Sequence, residues 1–213
     1  MTDIAVIDYG MGNLRSVAKA LEHVAGDKTV AVTSDPAVIA AAEHVVFPGQ
    51  GAMPDCVREL DSRGLRAAVL DAAARKPFLG ICIGQQLLFE HSEEGNTDGL
   101  GILPGRVRRF ASGMTDAAGA KLKVPHMGWN QVHQTMDHPL WAGIAQDARF
   151  YFVHSYYVDP ADPALIAAWT EYPLRFASAV ARANIFAVQF HPEKSQQAGL
   201  ALLYNFVNWD GHP

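Results

Sequence analysis

The chain has 213 residues, 49% of them hydrophobic and 18% charged, with a formal net charge of −5 at neutral pH. That length suits one domain, taken here as 1–213, with a core large enough to do without disulfides or a structural metal. The composition excludes disorder and low complexity, the acidic balance argues against nucleic acid or an anionic membrane as partner, and no apolar run is long enough to span a bilayer.

Met1-Thr2-Asp3 carries no basic run, so a cytoplasmic chain without a secretion signal is expected, and Cys56 and Cys82 read as thiols. The first third alternates strand and helix. Ile4–Ile7 is an apolar, β-branched run closed by the turn residues 8–13. Leu14, Val17, Ala18, Leu21 and Val24 then share one helical stripe that ends at Gly26. Strands are expected at 29–33, 44–47 and 77–81, with helices opening at Ser34-Asp35-Pro36 and covering 53–60 and 65–75. Strands that are apolar along their whole length and separated by helices indicate a parallel sheet covered on both faces.

After about Glu94 the pattern changes to glycine, proline and short alternating segments. Antiparallel strands are expected within 100–110 and 122–134, and further strands at 149–153, 165–169, 178–182 and 185–190, the last two turning at Ala183-Asn184. Ser195 is expected to cap a final helix that carries Leu200, Leu203, Phe206 and Val207 on one side. The fold class is α/β, a mostly parallel mixed sheet flanked by helices, flavodoxin-like, with a β-rich C-terminal half.

Three segments carry chemistry. Gly80-Ile81-Cys82-Ile83-Gly84 follows an apolar strand and has the form of a nucleophile elbow with cysteine at its tip. Such an elbow exposes the side chain at the carboxyl edge of the sheet, where the N-terminus of the following helix favours thiolate. Cys56 has no such setting and reads as a buried, inert thiol. Phe190-His191-Pro192-Glu193 supplies a base and an orienting carboxylate two residues apart, on one face if the backbone is extended. Together these make a Cys82-His191-Glu193 triad. Pro48-Gly49-Gln50-Gly51 is a glycine loop after another apolar strand, able to turn an amide toward an oxyanion, with the Ile83 N–H as the other donor.

Other features read as structural. Arg15 occupies the third glycine position of a dinucleotide fingerprint that would begin at Gly10-Met11-Gly12. His126, His133 and His138 lack metal-ligand spacing, so no metal and no cofactor are expected. Arg106, Arg108 and Arg109 read as a solvated face.

Pro-Gly-x-Gly, Gly-Ile-Cys-Ile-Gly-x-Gln and His-Pro-Glu, in this order, resemble the class I (triad) glutamine amidotransferases along nearly the whole chain. Residues 8–14, 125–130, 151–156 and 191–195 look like the glutaminase subunits that serve imidazole glycerol phosphate synthases. Gln50 departs from the small apolar residue usual in that loop.

The resemblance implies L-glutamine as substrate, with Gln50 and Ile83 amides on the oxyanion and Gly51, Gln86, His154, Ser155 and Tyr156 around the substrate. It also implies a heterodimer with a (β/α)8 cyclase/synthase subunit that receives the ammonia, met through Asn13, Trp129, Tyr151 and Lys194. Flanking glycines let the Gly49–Gln50 peptide flip at little steric cost, so partner docking is expected to switch the oxyanion donor in and out. Two alternatives stay open: an amidotransferase subunit of another pathway or a free-standing γ-glutamyl hydrolase, and a non-catalytic glutamine-binding module.

Overall fold

The computed structural model describes residues 2–115 and 119–213. The N-terminal third runs β1 (Ile4–Ile7), α1 (Leu14–Val24), β2 (Val30–Thr33), α2 (Pro36–Ala41), β3 (His44–Gly49), α3 (Met53–Ser62), α4 (Arg66–Arg75), β4 (Phe78–Cys82) and α5 (Ile83–Gln86). Strands β1, β3 and β4 are buried at every position, which is why their sequences are unbroken apolar runs. The predicted stripe of α1 faces inward through Val17, Ala18 and Leu21. Asp35 caps α2 by accepting from the Ala37 N–H, with Pro36 in the first turn.

The remainder is β-rich. It comprises β5 (Phe89–Ser92), β6 (Thr97–Asp98), β7 (Leu103–Arg109), β8 (His126–Gln131), β9 (His133–Gln134), β10 (Arg149–His154), β11 (Tyr156–Pro160), β12 (Ile166–Glu171), β13 (Arg175–Arg182) and β14 (Ile185–Val188), closed by α6 (Gln196–Val207). One sheet runs through both halves in the order β2-β1-β3-β4-β14-β13-β11-β7-β5-β6, with β12 pairing β13 and β9. It is parallel from β2 to β14 and antiparallel from β14 through β7. The chain thus returns to the centre of its own sheet, where β14 lies directly beside β4. That return sets the site. The ribbon β8–β10 stands outside the large sheet.

Three expectations shift. The β-rich part begins at Phe89 rather than near Glu94, because the run Leu87-Leu88-Phe89 leaves α5 after a single turn and becomes strand. The strand expected within 122–134 starts only at His126. Strand β11 was not foreseen, since only Val158 in it is buried and its sequence shows no full alternation. Among the described residues no helix is long and apolar enough to cross a membrane.

The β-rich part has an aromatic core of its own. Phe110 packs on Tyr157 at 4.8 Å, and the buried His126 ring lies stacked between Tyr172 at 4.0 Å and Phe152 at 4.9 Å. His138 is buried against Phe186 and Trp209. His133 instead pairs with Asp147 on the surface, and Arg108 pairs with Asp159 in the solvated face read from the sequence. Burial pushes His126 and His138 down to about 4 and His154 to about 3. These rings stay neutral in the fold while the unfolded chain takes up their protons below about 6.5, so stability must fall with pH. Urea denaturation is therefore expected to show stability dropping as pH falls from ~6.5 toward ~4. A flat profile over that window would contradict the buried neutral rings.

Candidate active site

Cys82 closes β4 with φ 57° and ψ −110°, a left-handed backbone that costs a non-glycine residue about 1–3 kcal/mol. The strain is carried by the cysteine itself. The flanking glycines make room for that backbone. A Cβ on Gly84 would lie 1.8 Å from the Phe47 carbonyl oxygen of β3, and one on Gly80 would press on Ala187 of β14 at 3.0 Å. They let β3 and β14 close on β4 from either side, with Gly49 opposite Cys82 in the register. The helix behind the elbow is one turn long, so it supplies little of the dipole expected from a full helix.

His191 follows β14 and is buried, as is Glu193. His191 Nδ1 meets Glu193 Oε1 at 2.9 Å. The pair is assembled differently from the sequence expectation. Pro192–Lys194 forms a 3₁₀ turn, and the turn, rather than strand alternation, swings Glu193 back under the ring. Strand β10 clamps that turn. The His191 N–H donates to the Tyr151 carbonyl at 2.9 Å, and the Tyr151 N–H donates to Ser195 Oγ at 3.0 Å. Ser195 Oγ in turn donates to the His191 carbonyl at 2.6 Å. Ser195 was expected to cap α6 with its side chain, but its hydroxyl is committed to this clamp and makes no capping bond.

The second nitrogen of the His191 ring, Nε2, is buried and has no hydrogen-bond partner among the described residues. Burial, the largest influence, disfavours charge on this ring. The Cys82 sulfur beside it and the Glu193 carboxylate outweigh that, and together push the imidazole up to about 10.

A cavity of about 290 Å³ opens over Cys82. The expected residues Gln50, Gly51, Ile83, Gln86, His154, Ser155, Tyr156 and Lys194 line it with Cys82 and His191. Ile83, first residue of α5, has an N–H free of intrahelical bonding beside the sulfur. In the glycine loop the positive φ, 103°, belongs to Gly51, and Gly49 is required by packing, since a Cβ there would sit 2.5 Å from the Tyr9 hydroxyl. The Cys56 thiol donates to the Gln50 carbonyl at 3.5 Å, so the inert cysteine anchors this loop. Both ring nitrogens of His154, which lines the cavity, have partners inside the protein, His126 and the Tyr156 carbonyl.

Lys194 lies over the Tyr151 ring at 5.9 Å, and Tyr151 packs on Trp129 at 6.1 Å, forming one cluster. Asn13 sits on the 8–13 turn, whose Gly12 abuts the Gly49 backbone.

The class-I glutamine amidotransferase family matches residues 5–209. The chain belongs to that family. Relatives include proteins named imidazole glycerol phosphate synthase subunit HisH. The one from Aromatoleum aromaticum is 72% identical over 210 residues, covering 98% of this chain and 99% of the relative. That from Nitrosospira multiformis is 70% identical over the same shares. Among solved structures, a putative GMP synthase protein from Thermoplasma acidophilum superposes with a TM-score of 0.72 at 18% identity, covering 98% of this chain and 93% of that one. PurLQS from Thermotoga maritima does so at 0.68 and 17%, covering 98% and 99%. These structural likenesses speak to the fold.

Four residues around the site of this amidotransferase escaped the sequence reading. Glu94, Pro125 and Val153 also line the cavity. The carboxylate of Glu94 is held there by accepting from the Met53 N–H at 2.8 Å. Gln189, fully buried behind the sulfur, donates from Nε2 to Cys82 Sγ at 3.6 Å. Its signal was a polar residue inside the apolar run Phe186-Ala187-Val188-Gln189-Phe190.

The two thiols should part cleanly. Burial pushes Cys56 up to about 11, so near neutral pH it is thiolate in well under one molecule in a thousand. A glutamine-like diazo-ketone is expected to label Cys82 and spare Cys56, read by peptide mass mapping. Labelling at Cys56 would reverse the assignment.

Proposed function

We propose that the chain hydrolyses glutamine to glutamate and ammonia through Cys82, His191 and Glu193. It is the amidotransferase subunit of an imidazole glycerol phosphate synthase in cytoplasmic histidine biosynthesis, and the ammonia passes to a (β/α)8 synthase subunit in a heterodimer. The observation that carries the chemistry is the unpartnered His191 Nε2 over the elbow cysteine, with Nδ1 held on Glu193 at 2.9 Å. The identities of 72% and 70% to HisH subunits support the pathway.

The cavity is at the small end of ligand sites, suited to a single amino acid. Glutamine enters with its α-ammonium toward Glu94 and toward Gln86 Oε1, a buried acceptor without a partner. Its carboxylate lies along Ser155 and Tyr156. Cys82 Sγ attacks the amide carbon, and the oxyanion takes the Ile83 and Gln50 N–H groups. His191 is charged at this point because the anionic sulfur raises its proton affinity. Once the sulfur is bonded to carbon that influence vanishes, and the ring releases its proton to the departing ammonia. The neutral ring then takes a proton from water, which attacks the thioester, and the sulfur leaves as thiolate beside the recharged ring. Glu193 holds the ring in the required tautomer throughout.

The partner face supporting this reading is the Trp129-Tyr151-Lys194 cluster, flanked by Met127, which is 61% exposed on β8. Asn13 extends that face toward the glycine loop.

Assayed with the synthase subunit, Cys82→Ser should abolish glutamine-dependent synthesis while leaving synthesis from added ammonium intact. His191→Ala should cost several orders of magnitude in glutaminase rate and Glu193→Gln less. Loss of the ammonium reaction in an assembled complex, or Glu193 variants worse than His191 variants, would contradict these roles. The chain alone should be nearly idle and rise by ~10²–10³ when the nucleotide substrate and the synthase subunit that binds it are both present, the value of one oxyanion donor. Lys194→Ala should weaken that activation. Full glutaminase activity in the isolated chain would instead support a free-standing hydrolase.

A further inference from the structure

Behind the nucleophile lies a hydrogen-bonded chain whose direction is set from outside the site. Gln86 Nε2 donates both its hydrogens, to the Tyr156 carbonyl at 3.1 Å and to Gln189 Oε1 at 2.9 Å. A backbone carbonyl only accepts, so Gln86 cannot be turned over without setting two oxygens against each other. Gln189 must then present Oε1 to Gln86 and Nε2 to the sulfur, at 3.6 Å.

The same carbonyl of Tyr156 is approached from the other side by His154 Nδ1 at 2.8 Å. His154 Nε2 meets His126 Nδ1 at 2.9 Å, and His126 Nε2 faces Asn130 Nδ2 at 3.2 Å. Asn130 is oriented by backbone alone, since Nδ2 donates to the Glu171 carbonyl and Oδ1 accepts from the Gln131 N–H. Each link therefore has one allowed direction, with both histidines protonated on Nδ1. Both rings are held neutral by burial, in agreement with that assignment.

From this we infer that Gln189 is a dedicated hydrogen-bond donor to the Cys82 sulfur, placed by Gln86 so that substrate recognition and the nucleophile share one rigid amide pair. This rests on the reading of Cys82 as nucleophile. A donor to sulfur favours the anionic form over the thiol and holds Sγ on the line of attack. It also steadies the sulfur again when the thioester breaks and the electron pair returns to it. The remaining acceptor of the pair, the buried Gln86 Oε1, has no partner among the described residues, and Gln86 lines the cavity, so a donor group of the substrate completes the chain.

Other titratable groups face the sulfur. His191 is beside it with Glu193 behind, Glu94 and Lys194 line the cavity, and Tyr9 and Cys56 lie beneath. None of these is changed by substitution at Gln189, so a shift in sulfur behaviour is read against a constant background.

The test is the pH dependence of Cys82 alkylation by iodoacetamide in the full chain, beside glutaminase kinetics with the synthase subunit. Gln189→Met keeps the shape and removes the donor. The alkylation midpoint should rise by about one unit, making labelling about tenfold slower at a fixed pH below it. The value of kcat should fall ~10-fold or more with KM for glutamine little changed. Because Gln189→Met leaves a Gln86 N–H buried without a partner, the variant can fail to fold. The double variant Gln86→Met/Gln189→Met removes both ends of that bond, a change of small net cost to stability, and its alkylation midpoint should show the same rise. An unshifted midpoint in a folded variant, whatever happens to kcat, would overturn the inference while leaving Cys82 as nucleophile. Wild-type protein that is not alkylated at Cys82, with Cys82→Ser still active on glutamine, would sink the underlying reading instead.

Discussion

The structure depends on one strained residue held between two strands. Cys82 sits at positive φ because β4 must stop, turn and begin α5 within a single peptide, and nothing in the cysteine itself favours that conformation. It persists because Gly84 lets the Phe47 carbonyl of β3 come closer than any side chain would allow, while Gly80 admits Ala187 of β14. The sheet around the elbow is packed on both faces, and the interaction that holds the strain is this backbone-to-backbone approach. Remove the space at Gly84 and the register between β3 and β4, which also delivers the glycine loop to the sulfur, has to give.

Everything else in the site is positioned from that line. Strand β14 lies parallel to β4, so its continuation carries Gln189 and His191 to the sulfur's own edge of the sheet. Just past the end of β14, Gln189 reaches the sulfur and His191 borders the cavity. A 3₁₀ turn then folds Glu193 under the ring, and Ser195 with the β10 backbone keeps the turn from opening. The same β10 belongs to the ribbon bearing Trp129 and the exposed Met127, so that surface and the clamp on His191 share one ribbon.

Charge within the site is arranged by exclusion of water as much as by pairing. Burial disfavours charge on His191, and the Cys82 sulfur and Glu193 carboxylate that flank it outweigh that pull and raise its proton affinity. His126 and His154 have no such neighbours and are driven neutral, which fits them for a directed chain of donors and acceptors. Cys56 is kept as a thiol by burial and spends its proton on the Gln50 carbonyl.

Much was legible in the residue order by itself. The parallel half follows from apolar runs separated by helical stripes, and the elbow follows from glycine, cysteine and glycine after such a run, because both patterns encode constraints between residues near in sequence. The grouping of Cys82 and His191 at one cavity, with Glu193 on the His191 ring, was legible for the same reason, as two short motifs with demanding chemistry. What escaped were features made by distant segments. Phe89–Ser92 became strand because β7 offered it a ladder, and Ser195 left its capping role because the Tyr151 N–H and the His191 carbonyl were closer partners. Gln189 reads in sequence as one polar residue in an apolar strand. Only the packing of β14 beside β4, with Gln86 fixed by the Tyr156 carbonyl, gives its amide a direction and a sulfur to donate to. Local order determines which groups are present and what each can do; tertiary contacts decide which way a buried amide or imidazole faces, since that orientation is set by whichever acceptor the rest of the chain brings within reach.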